Sequence, residues 1–112
     1  MTTPEGRNKV AIKTLLSGHQ QNGLYWWMPV VSGYGSSSLD FILCYKGRFA
    51  AIEAKAPGRS LTPRQELTAG SIRDAGGVVF EIDGPVGIEE LKRWLEKCKR
   101  LPGAWSAAGT GP

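Results

Sequence analysis

Apolar residues along the chain follow two rhythms. Ala11, Ile12, Leu15 and Leu16 fall at helical spacing behind Thr3-Pro4-Glu5, a cap, a first-turn proline and an acid at the positive helix end. Gly18 is the expected stop of this helix, and Asn22-Gly23 reads as a turn. Leu24 to Val31 is aromatic and β-branched and predicts a strand, with Pro29 near its end or on an edge. Residues 32–38 (SGYGSSS) read as a loop. Residues 39–45 (LDFILCY) and 48–56 (RFAAIEAKA) predict two more strands joined by a hairpin at Lys46-Gly47. Thr62-Pro63-Arg64-Gln65 has the spacing of a capping box and opens a second helix, with Leu67 and Ile72 on its inner face and Gly76-Gly77 at its end. Val78 to Ile82 predicts a fourth strand. Ile88, Leu91, Leu95 and Cys98 form the stripe of a third helix, with Glu89 and Glu90 early and Lys97, Lys99 and Arg100 late, as the helix dipole favours. The order α-β-β-β-α-β-α predicts one compact α/β domain over residues 1–100, a mixed central sheet flanked by helices, followed by a loose, uncharged tail over 101–112.

Composition narrows the function classes. The 112 residues suit one domain with its own core. No apolar run approaches the ~20 residues of a membrane helix, and the N-terminus lacks the apolar stretch of a signal peptide. Membrane and secreted classes are therefore not expected, and a reducing cytoplasm is the simplest compartment. Cys44 and Cys98 lie far apart within apolar patterns and read as small buried hydrophobes. One histidine and two unclustered cysteines cannot build a structural zinc site, so any metal must be held by carboxylates. The net charge of +4 is a mild bias toward polyanions.

The hairpin carries the chemistry. A symmetric turn at Lys46-Gly47 makes the numbers of paired residues sum to a constant: Tyr45 meets Arg48, Leu43 meets Ala50, Phe41 meets Ile52 and Leu39 meets Ala54 on one face. On the other, Cys44 meets Phe49, Ile42 meets Ala51 and Asp40 meets Glu53, with Lys55 two residues beyond. Opposed side chains have Cβ atoms roughly 4.5–5.5 Å apart, so two carboxylates placed this way repel. A divalent cation relieves that repulsion, and Mg²⁺ commonly binds one or two carboxylates, waters and a phosphate. Carboxylate-held metal beside a lysine is suited to phosphodiester hydrolysis. A bulge at Gly47 would instead shift the register, leaving Asp40 exposed and Glu53–Lys55 a surface pair.

Asp40, twelve intervening residues and then Glu53-Ala54-Lys55 resemble the bipartite D…ExK signature of the PD-(D/E)XK nucleases. With IEAKAPG, the TPRQ helix start and the AGG stop before a strand, the stretch to Asp83 resembles the VRR-NUC family, whose small stand-alone members often occur in bacteriophages. The resemblance implies Mg²⁺ or Mn²⁺ held by Asp40, Glu53 and the carbonyl of Ala54. It also implies that Lys55 orients or activates the hydrolytic water. It nominates Glu5 on the first helix as a further metal-site acid and Gln65 as the family glutamine after the motif. Where many relatives have Gly-x-Pro-Asp before the second strand, this chain has Ser37, Ser38, Leu39 and Asp40.

The implied activity is metal-dependent hydrolysis of DNA, as an endonuclease that leaves a 5′-phosphate, with flap or junction cleavage within its scope. A homodimer would supply the two centres that cutting both strands needs, and no organic cofactor is expected. The alternative is a non-catalytic nucleic-acid-binding module on a nuclease scaffold; a third reading is an interaction protein unconnected to nucleic acid. Several residues have a structural reading beside the functional one. Glu5 suits the helix dipole, Gln65 suits the capping box, and Arg59, Arg64 and Arg73 suit solvent as well as phosphates. Lys92, Arg93, Lys97, Lys99 and Arg100 suit the dipole as well as a duplex-facing patch. Of Trp26 and Trp27, one is expected in the core and stacking on an unpaired base is a further role; His19 reads as a polar helix terminus.

Overall fold

The computed structural model describes residues 2–30 and 38–104. Helix α1 spans Pro4–His19 and tightens into a 3-10 turn at Gln20–Asn22. Strands β1 (Leu24–Trp27), β2 (Phe41–Tyr45) and β3 (Arg48–Ala54) follow, then α2 (Pro63–Asp74), β4 (Val78–Ile82) and α3 (Pro85–Arg100). The sheet order is β1-β2-β3-β4, an antiparallel meander with β4 added parallel to β3. A parallel neighbour needs a long crossover, and α2 is that crossover.

Alternation along the strands splits the core into two layers. Phe41, Leu43, Tyr45, Ala50, Ile52 and Ala54 pack with Ile12 and Leu16 of α1 and Leu91, Leu95 and Cys98 of α3. Ile42 and Ala51 face the other way, toward Ile72 of α2. Trp26 packs inward against Phe41 and Trp27 points out. The α3 stripe lies in the larger layer, where Leu91 is fully buried. Leu91→Ala should therefore lower the unfolding free energy by about 2–5 kcal/mol in a denaturant titration. Neither cysteine is in a disulfide; Cys98 is buried and Cys44 half-buried. No described helix is long and apolar enough to cross a membrane.

The hairpin has the expected register from Tyr45↔Arg48 to Phe41↔Ile52. Lys46 and Gly47 both have positive φ, 52° and 85°, as a two-residue I′ turn requires. Lys46 Nζ reaches the carbonyls of Lys99 and Leu101, Arg48 reaches that of Pro102, and the N–H of Ala104 donates to the Lys46 carbonyl. The hairpin tip thus caps α3 and holds residues 101–104; residues 105–112 of the expected tail lie outside the described residues.

Several boundaries differ from expectation. The first helix runs through Gly18, because His19 is buried rather than a solvent-facing terminus. Its Nδ1 lies 2.9 Å from the Tyr45 hydroxyl and its Nε2 lies 3.6 Å from Glu96. The helical path ends at Gly23, whose φ of 95° suits glycine. Strand β1 ends at Trp27 instead of Val31, just ahead of Pro29, which has no N–H to donate. The loop expected at 32–38 lies outside the described residues except for Ser38. On α2 the buried residue is Ala69, while Leu67 is 75% exposed. Five residues turn a helix by roughly 140° beyond one full turn, so Leu67 cannot share a face with Ile72.

Candidate metal-binding and catalytic site

The β2–β3 ladder stops one pair short of Asp40 and Glu53, and their side chains take its place. The Asp40 N–H donates to Glu53 Oε1 at 3.0 Å, and the Ala54 N–H donates to Asp40 Oδ2 at 2.9 Å. Each residue therefore grips the other strand's backbone. This exchange explains why β2 begins at Phe41 rather than Leu39, and why β3 ends at Ala54 rather than Ala56. It also bends the chain at Asp40, so Leu39 packs with Ile42 and Ala51 instead of joining Phe41 and Leu43.

The two carboxylates look toward different helices. Asp40 Oδ1 lies 3.8 Å from Lys9 Nζ on α1. Glu53 Oε2 accepts from Gln65 Nε2 on α2 at 2.9 Å and lies 3.9 Å from Lys55 Nζ. Glu53 is 6% exposed. Burial pushes its carboxyl up from 4.5 to about 7, and the Asp40 charge adds to the rise. The hydrogen bond from the Asp40 backbone and the charges of Lys55 and Lys9 offset it only in part.

Lys55 is fixed by its backbone: its N–H donates to the Ile82 carbonyl on β4, and its carbonyl accepts from Asn8 Nδ2 on α1. With Lys55 pointing its N–H at β4, strand alternation turns the N–H and carbonyl of Ala54 toward Asp40. Gln65 forms the cap and also reaches Glu53, with opposite ends of one amide. Its Oε1 accepts from the Thr62 N–H, completing the capping box with the Thr62 hydroxyl, while its Nε2 holds Glu53.

Glu5 pairs with Lys9 at 3.6 Å, so Lys9 bridges Glu5 and Asp40. Among the described residues no three His, Cys, Asp or Glu side chains group to hold a metal. The available donors are the Asp40 and Glu53 carboxylates and the Ala54 carbonyl. This set is all oxygen with lone pairs to spare, the donor chemistry that suits Mg²⁺ or Mn²⁺, and Lys9 and Lys55 offset part of its negative charge. Searches with family models, curated proteins and solved structures returned no match to this chain.

Sequence reasoning missed three participants. Lys9 carried a signal, the helical four-residue spacing from Glu5. Asn8 carried none, because its role depends on where α1 crosses the end of β3. Glu81 lies level with Glu53 on the neighbouring strand, but its carboxylate accepts from the Leu61 N–H and so supports the loop after Lys55. Arg59, Arg64 and Arg73 are exposed on that loop and on α2.

Proposed function

We propose that this chain is a metal-dependent nuclease of the VRR-NUC type, hydrolysing DNA phosphodiester bonds as an endonuclease. The observation that carries the reading is the mutual hold of Asp40 and Glu53, with Lys55 beside Glu53, at the positions where the D…ExK resemblance puts metal and water. Asp40, Glu53 and the Ala54 carbonyl would hold Mg²⁺ or Mn²⁺. Such an ion, when bound, would supply charge stabilisation at the phosphoryl oxygens and would make water more acidic. Lys55 Nζ orients the attacking water and stabilises the negative charge that develops as its proton leaves. Water oxygen bonds to phosphorus, the bond to the 3′ oxygen breaks, and that oxygen takes up a proton, leaving a 5′-phosphate. Gln65 keeps the Glu53 carboxylate turned toward the site. Glu5 acts through Lys9, which screens Asp40. A symmetric homodimer supplies a second centre where two strands are cut.

One observation favours the second reading, a DNA-binding module without catalysis: Lys9 and Lys55 already place cations beside both carboxylates. A cleavage panel of duplex, single strand, flap and four-way junction, with Mg²⁺, Mn²⁺ or chelator, decides between them. The nuclease reading expects metal-dependent products bearing 5′-phosphates; intact DNA that is nevertheless bound supports the module.

Paired variants on α2 separate the two roles of Gln65. Thr62→Ala loses the cap at a cost of about 1 kcal/mol and should keep cleavage. Gln65→Ala should cost a similar amount of stability but reduce cleavage about tenfold or more, measured as initial rates on a labelled oligonucleotide.

A further inference from the structure

Among the described residues, the sheet face that carries Glu53 is covered by α2 over part of its width. Its pairing rows are Tyr25–Cys44–Phe49, then Trp27–Ile42–Ala51–Val79, and then the row of Glu53 and Glu81. Helix α2 seats Ile72 against the Ile42–Ala51–Val79 part of this face. Toward the β1 edge Tyr25 is 67% and Trp27 42% exposed. Their rings lie 5.5 Å apart, tilted by 43°, and form one aromatic shelf. Trp27 stands one row from the Glu53 level and two strands away from it, across β2, on the same face of the sheet. Helix α2, on the same side of the sheet, carries the exposed bases Arg64 and Arg73, complementary in sign to phosphate.

We propose that Tyr25 and Trp27 are a stacking platform for unpaired bases of a DNA strand whose phosphodiester is presented to Asp40 and Glu53. The inference rests on the nuclease reading and names the residues that would select unpaired bases within it. Flat aromatic faces hold bases of any sequence by stacking, while neighbouring cations hold the backbone. Bases inside a duplex already stack on one another and offer only their edges, so this shelf discriminates against fully paired DNA. An exposed aromatic pair on an edge strand, on the sheet face that also carries Glu53 and is flanked by the basic helix α2, suits this occupant better than a solely apolar partner.

The test is fluorescence anisotropy in chelator, where cleavage is off, with labelled oligo(dT) of twenty nucleotides and a twenty-base-pair duplex. Wild-type protein should bind the single strand more tightly. Trp27→Ala should weaken single-strand binding about 5- to 150-fold and duplex binding less than about twofold. Trp27→Phe should retain most of the affinity, whereas Trp27→Leu, which keeps apolar bulk without an aromatic face, should not. Tyr25→Ala is more exposed and gives the same test with less risk to folding, checked by circular dichroism. Equal losses on duplex and single strand, or no loss on either, overturn the proposal. So does a shift from dimer to monomer on sedimentation with strand preference unchanged, since the shelf would then join two copies. Stacking that depends on Trp27 in a protein that never cuts DNA keeps the platform and rejects the nuclease. Cleaving protein whose binding ignores both aromatics rejects the platform alone.

Discussion

Lys55→Ala should reduce metal-dependent DNA cleavage by about 10²–10⁴-fold, the usual contribution of a side chain that handles protons at the reacting centre. Lys55 is well suited to such a test. Its backbone is held by Ile82 and Asn8 whatever its side chain, so truncation leaves the strand end in place. Truncation also leaves the carboxylates and the Ala54 carbonyl, so metal should still bind and DNA affinity should fall only modestly. Asp40→Ala should abolish cleavage too, but by another route, because it removes a metal donor and the acceptor for the Ala54 N–H. Initial rates with Mg²⁺ and with Mn²⁺, beside binding in chelator, separate the two. Cleavage that survives both substitutions would reject the site.

In chelator, the melting temperature should fall as pH rises from about 4.5 to 7, and Mn²⁺ at pH 8 should restore it. The sign follows from Glu53. Its carboxyl is raised from 4.5 to about 7 in the folded state, so the native protein holds a proton there that the unfolded chain has released. Its contribution to stability is fully present below pH 4.5 and is lost as pH passes through about 7. The upper bound is about 3 kcal/mol, reduced by whatever water reaches the site. His19 acts in the opposite sense: burial lowers its pKa below 6.5, so its contribution is present above 6.5 and lost on acidification. Asp40→Asn isolates the first effect. It removes the neighbouring charge, should make the apo protein more stable than wild type at pH 8, and should flatten the profile between pH 4.5 and 7. Mn²⁺ at a hundredfold excess over its Kd stabilises by about 2.7 kcal/mol, several degrees of melting temperature. The variant should lose most of that gain.

The residues that were legible in sequence are those whose position follows from a local rule. Lys46-Gly47 demands a tight turn, and from that turn alone the register to Phe41↔Ile52 follows. Thr62 and Gln65 declared the cap of α2. Leu39 was not legible, because its alternation assumes a strand that continues through Asp40. The Asp40 backbone instead bonds to the Glu53 side chain, and the pleat is broken there. The same bend sends one carboxylate toward α1 and the other toward α2, so the site joins three layers rather than one face of a hairpin. Lys9 and Asn8 enter only because α1 crosses the end of β3, a packing relation that no short motif encodes. Gln65 reads as a cap from spacing alone; that the other end of its amide reaches Glu53 depends on where α2 packs.

The most direct measurement is the anomalous diffraction of manganese in a crystal of this protein soaked at pH 7.5–8. A single strong peak bound by Asp40, Glu53 and the Ala54 carbonyl, with Lys9 displaced from Asp40, is the predicted result. Well-ordered carboxylates still accepting from the Asp40 and Ala54 N–H groups, with no peak between them at saturating manganese, would contradict it.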